Sequence, residues 1–157
     1  MKINLMYVGK TDDDYIKNGC LLYYNRLKRY LPIEEIIVPS VKNIKSLRIE
    51  EVKEREAELI LKQLKPADRL ILLDEKGKQF DSVGFSKYIE QNMVDRIKNL
   101  IFLVGGPYGF SKNIYDRANG KISLSNLTFS HQMVRLFFME QLYRAFTIIR
   151  NEPYHHG

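Results

Sequence analysis

The chain has 157 residues, of which 45% are hydrophobic and 28% are charged, and its formal net charge at pH 7 is +6. This composition is that of a globular protein, so an intrinsically disordered chain is excluded, and the length predicts one domain over residues 1–157. The single cysteine, Cys20, excludes a disulfide framework and a cysteine-based zinc site, while the small basic excess permits a polyanionic partner without requiring one.

The first half of the chain predicts three strands and two helices. Short apolar runs indicate the strands, and apolar residues spaced three or four apart indicate the helices. The third run, which ends at Asp74, is continuously apolar, as is typical of a buried strand in a parallel sheet. In chain order the predicted elements are a strand at 2–8, a helix from 12–14 to Pro32, a strand at 33–38, a charged amphipathic helix at 46–65 and a strand at 69–74.

The second half predicts two further strands and three helices. Gly77 is interpreted as a turn, and Ser82 and Ser111 are N-cap candidates because a serine hydroxyl can accept from a free backbone N–H of the first helical turn. In chain order the predicted elements are a helix from 82 to 92, a buried strand at 99–104, a short helix from 111 to 118, a short strand at 121–125 and a long helix at 131–150 followed by a tail.

Strands that alternate with helices predict an α/β fold with a mainly parallel sheet flanked by helices. In such a sheet a ligand binds at the carboxyl ends of the strands, where glycine-bearing loops leave room. Three strand ends fit this description, at Leu73, at Gly105 and at Leu124. The sequence therefore predicts a ligand site formed by these three strand ends.

The run Gly105-Gly-Pro-Tyr-Gly109 follows a predicted strand but has neither the dinucleotide-binding nor the P-loop spacing. It is compatible with a plain tight turn, and also with backbone amides that approach a flat polar ligand such as a nucleobase. The start of the last helix leaves two similar options. Ser130 or His131 can be a simple N-terminal cap, or the free amides there can bind an anionic group.

The last predicted helix carries apolar residues over more than the ~100° that one core face needs. One stripe contains Val134, Phe138 and Leu142, and further apolar residues, including Phe146, widen it. We therefore expect a second buried face, most simply a two-fold homodimer interface. Glu140 and Arg144 on this helix are spaced as an i,i+4 ion pair.

The tail that follows the last helix contains Tyr154, His155 and His156. Two adjacent histidines can indicate a metal site or the remnant of a tag, but only one other histidine, His131, is available as a metal ligand. Tyr154 and His155 beside Arg144 can instead form an edge that stacks on a nucleobase and handles a proton.

No segment has the pattern of a targeting signal or a transmembrane helix. Residues 1–10 are too interrupted for a signal peptide, and the apolar run at 136–139 is far shorter than the ~20 residues that span a bilayer. With one thiol and no export signal, we expect a cytoplasmic protein that is not bound to a membrane.

Taken together, the motifs closely resemble the bacterial RlmH family of SPOUT-class methyltransferases over essentially the whole chain. No single motif is specific, but their order is. The motifs that carry the resemblance are Val-Gly-Lys at 8–10, Leu-Leu-Asp at 72–74, Val-Gly-Gly-Pro-Tyr-Gly at 104–109, Ser-Leu-Ser-Asn-Leu-Thr-Phe-Ser-His at 123–131, Arg135, Glu-Gln-Leu-Tyr-Arg-Ala at 140–145 and Pro-Tyr-His at 153–155.

The resemblance implies a homodimer whose C-terminal part forms a trefoil knot. It also implies that the cofactor is S-adenosyl-L-methionine and that the product is N3-methylpseudouridine in 23S ribosomal RNA, made on the assembled ribosome without a metal ion. Gly105 and Gly106 would let the chain pass under the adenosyl group, and backbone groups of the run after the last strand would hydrogen-bond adenine. The cofactor-binding residues implied in this way are Leu73, Gly105, Leu124, Ser125, Asn126, Leu127, Thr128 and Phe129.

The chemistry of this reaction suggests roles for three further residues. N3 of pseudouridine must lose its proton, so a cation near the developing charge on the base would favour the anion, and Arg144 is the candidate. His155 has a suitable side chain to accept the proton, and Tyr154 can stack on the base. Two alternatives stay open: a SPOUT enzyme with another target such as tRNA, and a non-catalytic ribosome-associated module that would need no cofactor pocket.

Overall fold

The computed structural model describes residues 1–157 and contains one five-stranded sheet and five α-helices. The strands are β1 (Lys2–Val8), β2 (Ile33–Val38), β3 (Arg69–Gln79), β4 (Asn99–Val104) and β5 (Gly120–Ser123). The helices are α1 (Asp14–Leu27), α2 (Ile49–Leu61), α3 (Ser82–Val94), α4 (Lys112–Arg117) and α5 (Met133–Ile149). A short 3-10 turn, Ile44–Ser46, precedes α2.

The sheet has the strand order β2-β1-β4-β3-β5, and every neighbouring pair is parallel. Leu5 of β1, for example, pairs with Glu35 on one side and with Phe102 of β4 on the other. The predicted parallel α/β fold is therefore confirmed. Because all five strands run the same way, their carboxyl ends, and the loops that follow them, lie along one edge of the sheet.

The core lies on both faces of the sheet, because successive strand side chains point to opposite faces. Leu5 and Phe102 belong to a large cluster under α1, α3 and α5, whereas Met6 and Leu103 belong to a smaller cluster under α2 and α4. Both faces of β1 and β4 are thus buried, which explains why their central residues are apolar apart from the buried Asn4.

Helix α5 packs against both α1 and α3 on the larger face of the sheet. This central position covers most of its wide apolar stripe within a single chain. Phe138 lies between Phe85 and Phe102, and Phe146 stacks on Tyr30. Among the large apolar side chains of α5, only Phe137 is strongly exposed, at 44%. The width of the stripe therefore reflects two neighbouring helices, and the homodimer stays a prediction.

The interpretation of Gly77 as a turn is wrong, because β3 continues to Gln79. Its pairing with β5 shifts register between Leu73 and Lys78, which marks an irregularity in the strand. A Cβ on Gly77 would lie 2.5–2.8 Å from backbone atoms of Ile122. Glycine is needed there because the two backbones approach closely, not because the chain reverses.

Several predicted helix ends are also wrong by a few residues. The cap of α3 is Asp81 rather than Ser82, because the Asp81 carboxylate accepts from the N–H of Gly84 at 2.6 Å. Helix α1 ends at Leu27, four residues before the predicted end, although Leu31 is still buried. Helix α2 is shorter at both ends than predicted, and α5 starts at Met133. None of the helices is long and apolar enough to cross a membrane.

Candidate functional site

A cavity of about 680 Å³ lies at the carboxyl edge of the sheet, between residues 73–76 of β3, where the pairing with β4 ends, the end of β4 and the segment that follows β5. The three strand ends singled out in the sequence thus meet at one place. The predicted cofactor-binding residues that line this cavity are Leu73, Gly105, Leu124, Ser125, Leu127, Thr128 and Phe129. Asn126 does not line it, because its side-chain oxygen accepts from Nε2 of Gln79 at 2.7 Å.

The segment after β5 is held in a turn by its own serines. Oγ of Ser123 donates to the carbonyl of Ser125 at 2.8 Å, and Oγ of Ser125 accepts from the N–H of Leu127 at 2.9 Å. The N–H of Leu127 is therefore engaged within the loop. Thr128 donates to Glu75 at 3.2 Å, and Phe129 stacks on Phe137 with ring centroids 4.7 Å apart. These contacts fix the wall that the loop contributes to the cavity.

The glycine run forms a tight turn in which the N–H of Gly109 donates to the carbonyl of Gly106 at 3.1 Å. Gly109 has a φ of +77°, a conformation that favours glycine. A Cβ on Gly105 would lie 3.1 Å from the ring of Phe110, and one on Gly106 would lie 3.0 Å from the carboxylate of Glu56. On the side where a Cβ would stand, the space next to these two glycines is thus taken by protein side chains, although both glycines also line the cavity.

Glu56 on α2 is a buried carboxylate beneath this turn, with 7% of the residue exposed. Removal from water raises its pKa above the ordinary value for a glutamate. The ionised form is therefore disfavoured at this position. The sequence gives no local sign of this contact, because Glu56 lies among other charged residues of an amphipathic helix.

The cavity also contains polar residues that were not predicted as site residues. Asp74 and Glu75 follow Leu73 directly and line the cavity with Lys53 and Tyr115. The Tyr115 hydroxyl donates to Oδ2 of Asp74 at 2.5 Å, and burial together with this carboxylate raises the pKa of Tyr115 to about 12. The position of Asp74 at a strand end could have identified it. Lys53 and Tyr115 come from α2 and α4, and no local pattern points to them.

Arg135 connects the start of α5 to the loop after β1. Its side chain is buried and stacks over the ring of Tyr7 at 3.9 Å, and its guanidinium donates to the carbonyl of Val8 at 3.1 Å and to Oγ1 of Thr11 at 3.0 Å. Burial lowers the pKa of Arg135, although the neighbouring groups oppose this shift. Since Val134 lines the cavity, Arg135 anchors the part of α5 that borders it.

The sequence left open whether Ser130 or His131 caps the N-terminus of α5 and whether the free amides there bind an anion. Oγ of Ser130 accepts from the N–H of Met133 at 3.0 Å, so Ser130 caps the first turn. His131 instead lines the cavity.

Arg144, Tyr154 and His155 come together in a second place, which we call the tail cluster and which also includes Glu140. Nη2 of Arg144 donates to Oε1 of Glu140 at 2.5 Å, and the Tyr154 hydroxyl donates to the same oxygen at 3.0 Å. Nη1 of Arg144 lies 3.4 Å from Nδ1 of His155, and the guanidinium lies over the Tyr154 ring at 4.9 Å. The three predicted catalytic residues are therefore neighbours.

The tail is docked on α1 and α5 rather than loose. The ring of Tyr154 packs edge-on against Tyr143 at 4.8 Å, and its hydroxyl lies 3.4 Å from that of Tyr23. Burial, together with the hydrogen bonds to Tyr23 and Glu140, raises the pKa of Tyr154 well above its usual range. The phenol is thus held in its neutral form.

The tail cluster and the cavity are separate within one chain, because none of Arg144, Tyr154 and His155 lines the cavity. Val134, which does, lies ten positions before Arg144 on the same helix. At a rise of ~1.5 Å per residue this is about 15 Å along the helix axis. One chain therefore holds the two halves of the predicted site apart. No group of three or more His, Cys, Asp or Glu side chains is placed to hold a metal ion.

Comparisons with known proteins agree on one family. A family model described as a predicted SPOUT methyltransferase matches residues 1–155. Proteins named ribosomal RNA large subunit methyltransferase H are similar to this chain over 99% of its length. Those of Parabacteroides distasonis and Cytophaga hutchinsonii are 56% identical to it, and that of Flavobacterium johnsoniae is 54% identical. Each is matched over at least 99% of its own length. A solved structure of a probable methylase family protein from Haemophilus influenzae has a TM-score of 0.52 at 13% identity, covering 99% of this chain and 70% of that one, which is a likeness of fold.

Proposed function

Because the chain belongs to the SPOUT methyltransferase family, and within it to the RlmH family, we propose that it methylates N3 of a pseudouridine in 23S ribosomal RNA, with S-adenosyl-L-methionine as the methyl donor. The observation that carries the proposal is the full-length identity of 54–56% to relatives named for ribosomal RNA methyltransfer. The alternatives of a tRNA target or a non-catalytic module have no comparable support.

The cavity fits this cofactor in size and in chemistry. Its volume of about 680 Å³ lies within the ~300–1,000 Å³ of ligand-sized sites. Leu73, Leu124 and Phe129 offer apolar surface for an adenine ring, and Asp74 and Glu75 offer carboxylates beside a ligand that carries a cationic sulfonium and an ammonium group. When bound, the cofactor supplies an activated methyl group, and the chain's own residues must place the accepting nitrogen in line with it.

The tail cluster has the groups that deprotonation of the base requires. We propose that the Arg144 guanidinium stabilises the negative charge that develops on the imide oxygens, and that His155 accepts the N3 proton directly or through a water molecule. Tyr154, held neutral, would stack on the base and orient it rather than act as a base itself. Glu140 would keep Arg144 and Tyr154 in a fixed orientation, since it accepts a hydrogen bond from each.

The separation of cavity and tail cluster favours a homodimer in which the tail of one protomer completes the cavity of its partner. About 15 Å of helix separates them in one chain, and methyl transfer needs the reacting atoms in contact. Exposed apolar side chains are available for such an interface on α1 and α5, including Leu21, Leu22 and Phe137, which are 56%, 48% and 44% exposed.

The domain organisation, the knot and the place of action are also proposals that rest on the fold and on the family resemblance. Residues 1–157 would act as one domain, because both core clusters pack on a single sheet. The C-terminal part would be knotted, as the family resemblance implies, and the enzyme would meet its target on ribosomes in the cytoplasm.

Methylation of ribosomes tests the proposal directly. Assembled ribosomes from a strain without this activity, incubated with the protein and isotope-labelled S-adenosyl-L-methionine, should gain one methyl group at N3 of a pseudouridine in 23S ribosomal RNA, as mapped by nuclease digestion and mass spectrometry. Purified tRNA serves as the control substrate. Label in tRNA alone would assign another target, and the absence of cofactor binding in calorimetry would leave the non-catalytic module.

A further inference from the structure

The loop between β2 and α2, residues 39–48, is a strongly basic and exposed segment at the cofactor edge of the sheet. It contains Lys42, Lys45 and Arg48 and no acidic residue, and all three cations are exposed. We call residues 39–48 the basic loop. We infer that it binds backbone phosphates of the RNA strand whose target base enters the active site, an inference that rests on the proposed function.

The position of the basic loop follows from the sheet. It leaves the carboxyl end of β2, and the cavity lies at the carboxyl ends of β3 and β4, so both are on the same edge. β2 is two strands from β4 and three from β3, which at ~4.8 Å per strand gives about 10–15 Å. That distance is about three or four nucleotides at the ~3.4 Å rise of one nucleic acid strand. Flanking phosphates of an RNA whose base is in the site therefore reach the basic loop.

The basic loop is close to the cavity on two sides, along helix α2 and through the packing of Ser40. Lys53 lines the cavity and lies on α2 only five residues after Arg48, or about 7–8 Å along the helix axis. On the other side, Ser40 packs against Gly9, since a Cβ on Gly9 would lie 2.8 Å from Oγ of Ser40. The carbonyl next to Gly9, that of Val8, is bound by Arg135 at the border of the cavity.

The backbone of the basic loop is held by local contacts, so its three cations extend from defined positions on the surface. Val41 is buried at 8% exposure, and Asn43 adopts a left-handed conformation with a φ of 58°. Oγ of Ser46 donates to the carbonyl of Asn43 at 2.8 Å, which closes the short 3-10 turn. Neither Lys42 nor Lys45 forms an ion pair, whereas Arg48 has only a solvent-exposed pairing with Glu51 at 3.8 Å. The two lysines are therefore available for phosphates.

The test compares two triple variants that lose the same charge at opposite edges of the sheet. The first is Lys42→Ala, Lys45→Ala and Arg48→Ala. The control changes the exposed Lys62, Lys65 and Lys98, which precede β3 and β4 and so lie at the amino edge, to alanine. Calorimetry with S-adenosyl-L-methionine should give the wild-type affinity for both, which shows that the cavity is intact.

Binding is measured by anisotropy with a fluorescein-labelled single-stranded RNA at several salt concentrations, and KM is measured with assembled ribosomes. Loss of three phosphate contacts should reduce the slope of log K against log[salt] by about 2, which is about 100-fold in affinity at 0.1 M salt. We expect this loss, and a matching rise in KM, only in the basic-loop variant.

Three outcomes are informative and distinct. RNA affinity and salt slope equal to those of the control variant would overturn the inference. A raised KM for assembled ribosomes with unchanged binding of protein-free RNA would also overturn it, and would point to an acidic protein surface as the partner. If the wild-type protein methylates no ribosomal RNA, the proposed function fails, but the RNA-binding comparison still decides whether the basic loop binds phosphates.

Discussion

The arrangement of the active site across two protomers can be tested with a heterodimer of two inactive variants. Gly105→Val changes the cavity, because its side chain would push against the ring of Phe110, 3.1 Å from the position of the Cβ. Arg144→Ala changes the tail cluster. If a cavity works with the partner's tail, the heterodimer has one site with both changes and one site with neither, so its activity per dimer should be about half that of the wild type.

If instead each cavity works with the tail of its own chain, both sites of the heterodimer carry one change. Activity would then stay near that of the single variants, about 100-fold below the wild type. The heterodimer is purified from co-expression through two different affinity tags and assayed for methyl transfer to assembled ribosomes, with both homodimers as controls and circular dichroism as the check of folding. Activity at the level of the two homodimers would refute the shared-site arrangement and the argument from the ~15 Å separation.

The remaining predictions concern the tail, the sheet and a buried carboxylate. Truncation after Asn151 should leave cofactor affinity unchanged in calorimetry but lower the rate of methyl transfer about 100-fold. The His155→Ala variant should have a smaller loss of methyl transfer, and its rate should partly recover at higher pH, where more of the imide is already ionised. Gly77→Ala should lower the free energy of unfolding by about 1–3 kcal/mol, or Tm by roughly 2–12 °C, whereas Gly120→Ala, whose Cβ would make an ordinary contact, should change it little. Glu56→Gln should raise Tm at pH 8 but not at pH 4. Because burial raises the pKa of Glu56 in the folded protein, the wild type loses stability as the pH rises through that pKa and the buried carboxyl group ionises, whereas glutamine stays neutral.

Each of these has a result that would contradict it. Full activity of the truncated protein would make the tail an ordinary frayed terminus. Equal Tm values for Gly77→Ala and Gly120→Ala would show that β3 and β5 can move apart at no cost. A Tm gain for Glu56→Gln that persists unchanged at pH 4 would trace the effect to packing rather than to the charge.

The strands were the part of the fold best predicted from sequence, because their signals are local. β1, β2 and β4 have the predicted bounds, since each is a short segment rich in apolar residues and bounded by turn residues or a proline, although β2 also contains Glu34 and Glu35. The end of β3 could not be predicted in this way. The run of polar residues from Asp74 to Gln79 looks like a loop, and only pairing with β5, more than 40 residues later, extends the strand across it.

In the candidate site, too, some residues could be predicted from local sequence signals and others depend on long-range packing. Leu73, Gly105 and Leu124 could be predicted to meet, because carboxyl ends of parallel strands share an edge. Lys53 and Tyr115 could not, because a helix places them there from another part of the chain. The same limit applies to α5: its apolar width is visible in the sequence, but whether neighbouring helices or a second protomer covers it depends on tertiary packing.

Glu140 shows why orientation matters as much as charge in the tail cluster. Its carboxylate accepts hydrogen bonds from both Arg144 and Tyr154, and it therefore offsets part of the guanidinium charge that would stabilise an imide anion. A free arginine would provide more charge, but it would have to reorganise as the proton leaves. In the proposed mechanism, a guanidinium that is held in place before the reaction avoids that reorganisation, and preorganised charge of this kind is usually the largest single contribution to catalysis. The ion pair is thus compatible with the proposed role of Arg144 because it restrains the direction of the cation, while His155, the proposed proton acceptor, lies 3.4 Å from the other terminal nitrogen of the guanidinium.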